Sequence, residues 1–405
     1  MSNIICIEEE KPKGDNNNKS SNENKETSNN NKSSNENKEI NNKTSNNNIK
    51  DTKKYYYYKE NLFKEYGLCG IKNYGANCYL NSGLQIISRC NIFIDWLKKS
   101  DYPDYACPFF NILKKTIQKI LDSEHLDPNE FITYFSKNNS EFPPNNQNCS
   151  QLFVRTVFSN INKEIKDFIL DINNKQYHNE IDPIIKGYHP EGYEKISYES
   201  FLFNNKVFPQ TLAYSYFSGI MKTESTGICK KCGEVKKYSF MDFFDQHMYL
   251  DTITSFSTDF KNVLKENLGY PIKVRSSCPY CKDRIQFEDI SKIIKLPEIL
   301  VFTIERYIGD TNTIPIIPNE IIDLKDYVEN SSIKYNDTLY ELFAINIRFG
   351  YSNQFGHQIC QIKKENNWYT LNDNNSPKKS QLDEYIKNSY GLYYKRIKSE
   401  DSDIN

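Results

Sequence analysis

An α+β fold is what this chain predicts, because the period of its hydrophobic residues changes along its length. Between residues 78 and 165 apolar side chains recur at helical spacing, with Leu80, Leu84 and Ile87 on one face and Phe153, Val157, Ile161 and Ile165 on another. Beyond residue 290 short runs are dense in Ile, Tyr, Phe and Val and read as strands. Helices first and strands later are the order of an α+β domain. With 405 residues, 38% of them hydrophobic, the chain is long enough for one large domain or two smaller ones.

The elements follow in order. Residues 1–54 are mainly Asn, Lys, Ser and Glu with almost no large apolar side chains, and the string Lys-Ser-Ser-Asn-Glu-Asn-Lys-Glu occurs at 19–26 and again at 32–39. Such a segment cannot bury enough surface to offset its ordering entropy, so it is expected to be a disordered tail. Composition becomes globular at Tyr55 and stays so to about Ile397, leaving 398–405 as a second tail. Gly70, Gly75 and Ala76 mark a tight turn, after which a helix begins around Cys78 with Asn77 as N-cap. Asp127-Pro128-Asn129-Glu130 reads as another helix start, with Asp127 as cap and Glu130 closing a capping box. Strands are expected at Lys292–Tyr307, Leu339–Gly350, Gln358–Lys363, Trp368–Leu371 and Tyr390–Ile397. The stretch near 165–210 carries no motif with a chemical reading.

Composition narrows the function. Lys and Arg number 52 against 53 Asp and Glu, so bulk charge gives no reason to expect nucleic-acid binding. No apolar run approaches the roughly 20 residues of a membrane span, and no signal-peptide core is visible. The expectation is a soluble monomer in the cytoplasm, the nucleus or both. Eleven cysteines without a secretory signal point to thiol and metal roles rather than a disulfide scaffold.

Three groups of residues carry chemistry. Cys78 falls in the first turn of its helix, where the partial positive charge of unpaired N–H groups favours thiolate over thiol. Cys229-Lys230-Lys231-Cys232 and Cys278-Pro279-Tyr280-Cys281 are two C-x2-C knuckles, able to supply the four thiolates of a closed, structural tetrahedral zinc site. No organic cofactor is implied. A thiolate nucleophile needs a histidine, and that histidine needs an orienter. Of the five histidines, His357 is the candidate: it follows Gly356 and opens a strand whose antiparallel neighbour ends at Asn372-Asp373, so that either the amide or the carboxylate could accept its ring N–H. His125, His178, His189 and His247 read as surface or structural residues.

The tract from Gly70 to Gln85 closely resembles the cysteine box of the ubiquitin-specific proteases, the papain-like deubiquitinating enzymes. Asn73, Gly75, Cys78, Tyr79, Asn81, Ser82, Leu84 and Gln85 agree with it, and Asn77 replaces the usual Thr. Gln147-Asn148-Cys149-Ser150-Gln151-Leu152-Phe153 is similar to a second box of that family, with two acids replaced by amides. Tyr340 to Ile347, Gly356-His357 and Trp368-Tyr369 to Asn372-Asp373 resemble its histidine box, with Gln358 in place of Tyr. Thr303 and Glu305 stand where the family usually has His and Lys, a departure expected to bear on packing more than chemistry.

The resemblance implies a helical thumb with Cys78, a β palm with His357 and Asn372, and zinc-tipped β fingers over about 212–295, all in one catalytic domain over 55–397. It implies a deubiquitinating cysteine protease that acts after ubiquitin's terminal glycine through a thioester. Asn73 would stabilise the oxyanion, Asn372 would be the third triad member, and Asp373 would assist. Ubiquitin and ubiquitinated proteins are the implied partners. Two other readings stay open: a weak or inactive ubiquitin-binding module, and a protease for another ubiquitin-like modifier.

Overall fold

The computed structural model describes residues 68–122, 125–171, 179–182, 188–306, 312–329, 337–350 and 356–397. The two expected tails, residues 55–67, His178 and Tyr307 lie outside the described residues.

A helical layer comes first, made of Cys78–Ile87, Asn91–Lys99, Pro108–Leu121, Asn129–Asn138 and Ser150–Asp171. The periodicity read from the sequence is the reason these helices pack. Phe153, Val157, Ile161 and Ile165 are fully buried on the last of them. Phe153 sits among the rings of Tyr79, Phe131, Phe135 and Phe142, with centroids 5.1–6.4 Å away, spacing at which aromatic edges and faces attract. The expected capping box does not form. Asp127 accepts the Asn129 N–H at 3.1 Å, but Glu130 turns out to the Lys115 ammonium at 2.9 Å instead of reaching back.

Behind this layer stands an eight-stranded sheet. Its order is Lys378–Ser380, Asn367–Leu371, His357–Lys364, Leu339–Phe349, Ser389–Arg396, Ile299–Glu305 and Gln246–Tyr249, with Ile321–Asp323 also paired to Leu339–Phe349. Side chains alternate across a strand, and the sheet uses both faces. Ile299 and Val301 join the core under the helices, whereas Leu300, Phe302 and Ile304 join a second core on the opposite face. The helix Phe260–Leu268 covers that second face, with the Phe260 ring 4.9 Å from that of Phe302.

The fingers form a separate four-stranded antiparallel sheet in the order Gly233–Phe243, Gly219–Cys229, Arg284–Lys295, Ile272–Ser277. Two sequence expectations change here. The run Lys292–Tyr307 is two strands in two sheets, divided at Leu296-Pro297-Glu298, where proline cannot donate to a ladder. The span 212–295 is not one subdomain either. Gln246–Tyr249 pairs in parallel with Ile299–Glu305, and Phe260, Val263 and Leu264 pack into the palm core, so the fingers come from two separate segments. The uninterpreted stretch contributes the helix Gly192–Asn204, which lies on Gly233–Phe243 through a cluster of Tyr188, Tyr198, Phe201 and Phe240.

Candidate active site

The helix Cys78–Ile87 packs with its N-terminal end against the strand His357–Lys364. Cys78 is the first helical residue and is buried, as its position in the sequence predicts. Gly75 adopts φ +112°, a backbone that L side chains rarely take, and sets the chain's entry to the helix. Gly70 has a different reason from the expected turn: a Cβ there would lie 2.7 Å from the carbonyl oxygen of Asn374, so only glycine lets the two boxes approach. Asn77 stands at the cap position without capping. Its Oδ1 accepts the Tyr74 N–H at 2.5 Å, and among the described residues no side chain caps the N–H groups of the first turn.

His357 opens its strand, and the hairpin to Asn367–Leu371 brings Asn372 back beside it. The ring Nε2–H donates to Asn372 Oδ1 at 2.9 Å, leaving Nδ1 to Cys78. The hydrogen bond with Cys78 pushes the imidazole up to about 9; the Asn372 bond and the nearby charges of Cys78 and Asp373 add to this, while burial opposes it. At neutral pH the ring therefore holds a second proton, and an imidazolium beside the sulfur is the partner a thiolate needs.

Asp373 is elsewhere. Its Oδ2 is 3.9 Å from His357 Nε2, outside hydrogen-bond range, but accepts from Asn73 Nδ2 at 2.7 Å. Its Oδ1 accepts from Asn81 Nδ2, also at 2.7 Å. Asn73 Oδ1 in turn accepts the Gly75 N–H at 2.8 Å. The structure thus brings together Cys78, His357 and Asn372 in one row and Asn73 and Asp373 in a second, adjoining one.

Residues to which sequence reasoning assigns no role complete the setting. Gln147 Oε1 accepts the Gly356 N–H at 2.6 Å, Gln358 Oε1 accepts the Ser150 N–H at 3.2 Å, and Gln358 Nε2 donates to the Asn148 carbonyl at 2.5 Å. Side-chain amides thus tie the second box to the start of the His357 strand through backbone groups, Gln147 to Gly356 and Gln358 to Asn148 and Ser150. The two amides that replace acids in that box point elsewhere, Asn148 Nδ2 donating to the Glu141 carbonyl at 2.7 Å and Gln151 Nε2 lying 3.5 Å from Asn346 Oδ1. Thr303 and Glu305 also form polar contacts rather than packing: Thr303 Oγ1 donates to Asp245 at 2.6 Å, and Glu305 pairs with His247. Asp245 also pairs with Arg155 of the thumb. His125 and His189 are exposed.

At the far end of the fingers, each C-x2-C sequence is the turn of a hairpin. Cys229 pairs with Gly233 across one, and Ser277 with Arg284 across the other. The sulfurs of Cys229, Cys232, Cys278 and Cys281 all lie within 4.8 Å of one another.

A thiol at a helix start, an imidazole on a facing sheet and an amide behind it are the layout of papain-like cysteine proteases. The chain belongs to the ubiquitin carboxyl-terminal hydrolase family, whose model matches residues 69–394. It is 32% identical to ubiquitin carboxyl-terminal hydrolase 9 of Arabidopsis thaliana over 133 residues, 30% of this chain and 14% of that protein. It is 22% identical to ubiquitin carboxyl-terminal hydrolase 46 of Caenorhabditis elegans, over 75% of this chain and 78% of that one. Against the Arabidopsis relative the matched length is thus about a seventh of the protein. The fold is similar to that of the SAGA DUB module Ubp8/Sgf11/Sus1/Sgf73 bound to monoubiquitin, with TM-score 0.59 and 18% identity, covering 83% of this chain and 70% of that one.

Proposed function

We propose that this chain is a deubiquitinating cysteine protease that hydrolyses the peptide or isopeptide bond after ubiquitin's C-terminal glycine. The observation that carries the reading is His357 held between Cys78 and Asn372, with Nε2 committed to the amide at 2.9 Å. The Cys78 thiolate attacks the glycine carbonyl. The oxyanion that forms is met by Asn73 Nδ2 and by first-turn N–H groups that no side chain caps. Collapse breaks the C–N bond, and the amine of the acceptor leaves with the proton held on His357. A thioester remains. Water attacks it with His357 as base, releasing the ubiquitin carboxylate and restoring the thiolate–imidazolium pair.

The four fingertip cysteines fit zinc. Zinc–thiolate bonds of about 2.3 Å place tetrahedral sulfurs about 3.8 Å apart, and the four sulfurs already converge within 4.8 Å. Bound there, the ion would join the two hairpin turns and take no part in the reaction.

The test is to expose the chain and Cys78→Ala to ubiquitin carrying a C-terminal electrophile and to follow adduct formation by gel shift. An adduct on the parent alone supports the reading. Ubiquitin binding without an adduct would replace it with an inactive binding module. Neither adduct nor binding would point to another modifier.

A further inference from the structure

We infer that Asp373 and Asn81 are positioning residues for the oxyanion donor, with the Asp373 carboxylate hydrogen-bonded to Asn73 and not to His357. The inference rests on the chemistry proposed above. Both oxygens of the Asp373 carboxylate are engaged by amides at 2.7 Å, one by Asn73 and one by Asn81. The imidazole, 3.9 Å away, gives its Nε2 proton to Asn372 instead. The two residues after the Asn367–Leu371 strand therefore serve different atoms of the reaction: Asn372 orients the base, and Asp373 reaches across to the cysteine box.

An asparagine stabilises an oxyanion only with its NH2 side turned to it, and the two ends of an amide differ little in shape. Here the direction is fixed from both ends. Asn73 Oδ1 takes the Gly75 N–H at 2.8 Å, and one Nδ2 hydrogen goes to Asp373. A flipped amide would set its oxygen against a carboxylate and its NH2 against an N–H. The second Nδ2 hydrogen is what remains for substrate.

Asn81 anchors the carboxylate. It is buried one turn into the Cys78 helix, its Oδ1 accepts from Asn77 Nδ2 at 3.0 Å, and its Nδ2 also lies 3.2 Å from the Ile71 carbonyl. The backbone repeats the link, with the Ile71 N–H donating to the Asp373 carbonyl at 2.7 Å. Asp373 holds φ +47° within this set of bonds, a strained backbone that persists where surroundings over-determine it.

Asp373→Asn separates the possibilities, because one amide oxygen cannot accept from both Asn73 and Asn81. The readouts are kcat, affinity for ubiquitin aldehyde, whose adduct with Cys78 is tetrahedral, affinity for unmodified ubiquitin, and the pH profile of Cys78 alkylation by iodoacetamide. We expect Asp373→Asn to lose about 10–10² in kcat and in aldehyde affinity. Unmodified ubiquitin should bind as before, and the alkylation profile should move only slightly, since the carboxylate reaches His357 through its charge alone. Asn372→Ala should shift that profile. In an Asn73→Ala background Asp373→Asn should cost little more, since both changes remove one donor. Asn81→Ala keeps the carboxylate and removes one anchor; it gives the same signature at smaller amplitude and serves if Asp373→Asn does not fold. An alkylation profile moved by Asp373→Asn as far as by Asn372→Ala, or kcat and aldehyde affinity left unchanged, overturns the inference while leaving the functional reading intact. A parent chain that neither binds nor processes ubiquitin overturns both.

Discussion

The thumb–palm body and the fingertip are held together by opposite means. In the body the sheet is packed on both faces, and Phe153, Ile161, Phe302 and Tyr394 are all within 1% of full burial. At the tip the buried set shrinks to Cys229, Val235, Cys278 and Phe287, while Ile228 is 80% and Tyr280 59% exposed. Burying a large apolar side chain stabilises by about 1.5–3 kcal/mol, so a body with dozens of them stands alone and a tip with so few does not. The four converging sulfurs proposed to hold zinc lie where the core is missing. The groups proposed to react belong to the body, and the tip can be perturbed without touching them.

The largest effect sharpens that division. Cys78→Ala should lower turnover of a ubiquitin substrate by roughly 10⁴-fold or more while leaving the thermal transition and the zinc content of the chain unchanged. Phe153→Ala strikes the body. With four rings around it and Gly83 pressed against it, the cavity should cost about 3–5 kcal/mol in urea denaturation, and activity should fall with the folded fraction. Cys278→Ser or a chelator strikes the tip. Ubiquitin affinity should weaken while the main urea transition moves less than for Phe153→Ala, and a transition that moves as far would break the comparison.

Smaller still is a change of pH behaviour. His357 is raised to about 9 in the folded chain, so its contribution to stability is complete below its ordinary value near 6.5 and is lost as pH rises through 9. The alkaline limb of the rate should fall in the same region. Asn372→Ala removes a bond that raises the imidazole, so both should move to lower pH, as a pH–rate series would show. Lys115→Ala breaks a pair whose partners are 56% and 62% exposed, and should change stability by less than about 1 kcal/mol in the same denaturation assay.

What the sequence disclosed divides along similar lines. Cys78 at a helix start and His357 at the opening of a strand were legible from local pattern, whereas the choice of Asn372 over Asp373 came from the family resemblance alone. The cysteine quartet was legible because C-x2-C fixes a turn. Hydrogen bonds between distant amides were not. Asn77 has the residue type of a cap, and only the tertiary contacts to Tyr74 and Asn81 turn its side chain away from the helix. The parallel pairing of Gln246–Tyr249 with Ile299–Glu305 was invisible for the same reason, since a four-residue strand carries no record of its partner.

The bond between Asn73 and Asp373 spans 300 residues of chain. A ribosome therefore exposes Cys78 long before His357, and non-local pairings of this kind form late. The strand His357–Lys364 takes its place in the sheet only when nearly the whole matched region has been made. Until then Cys78 is one thiol among others in the nascent chain, and the proposed triad is complete only once the last strands have closed.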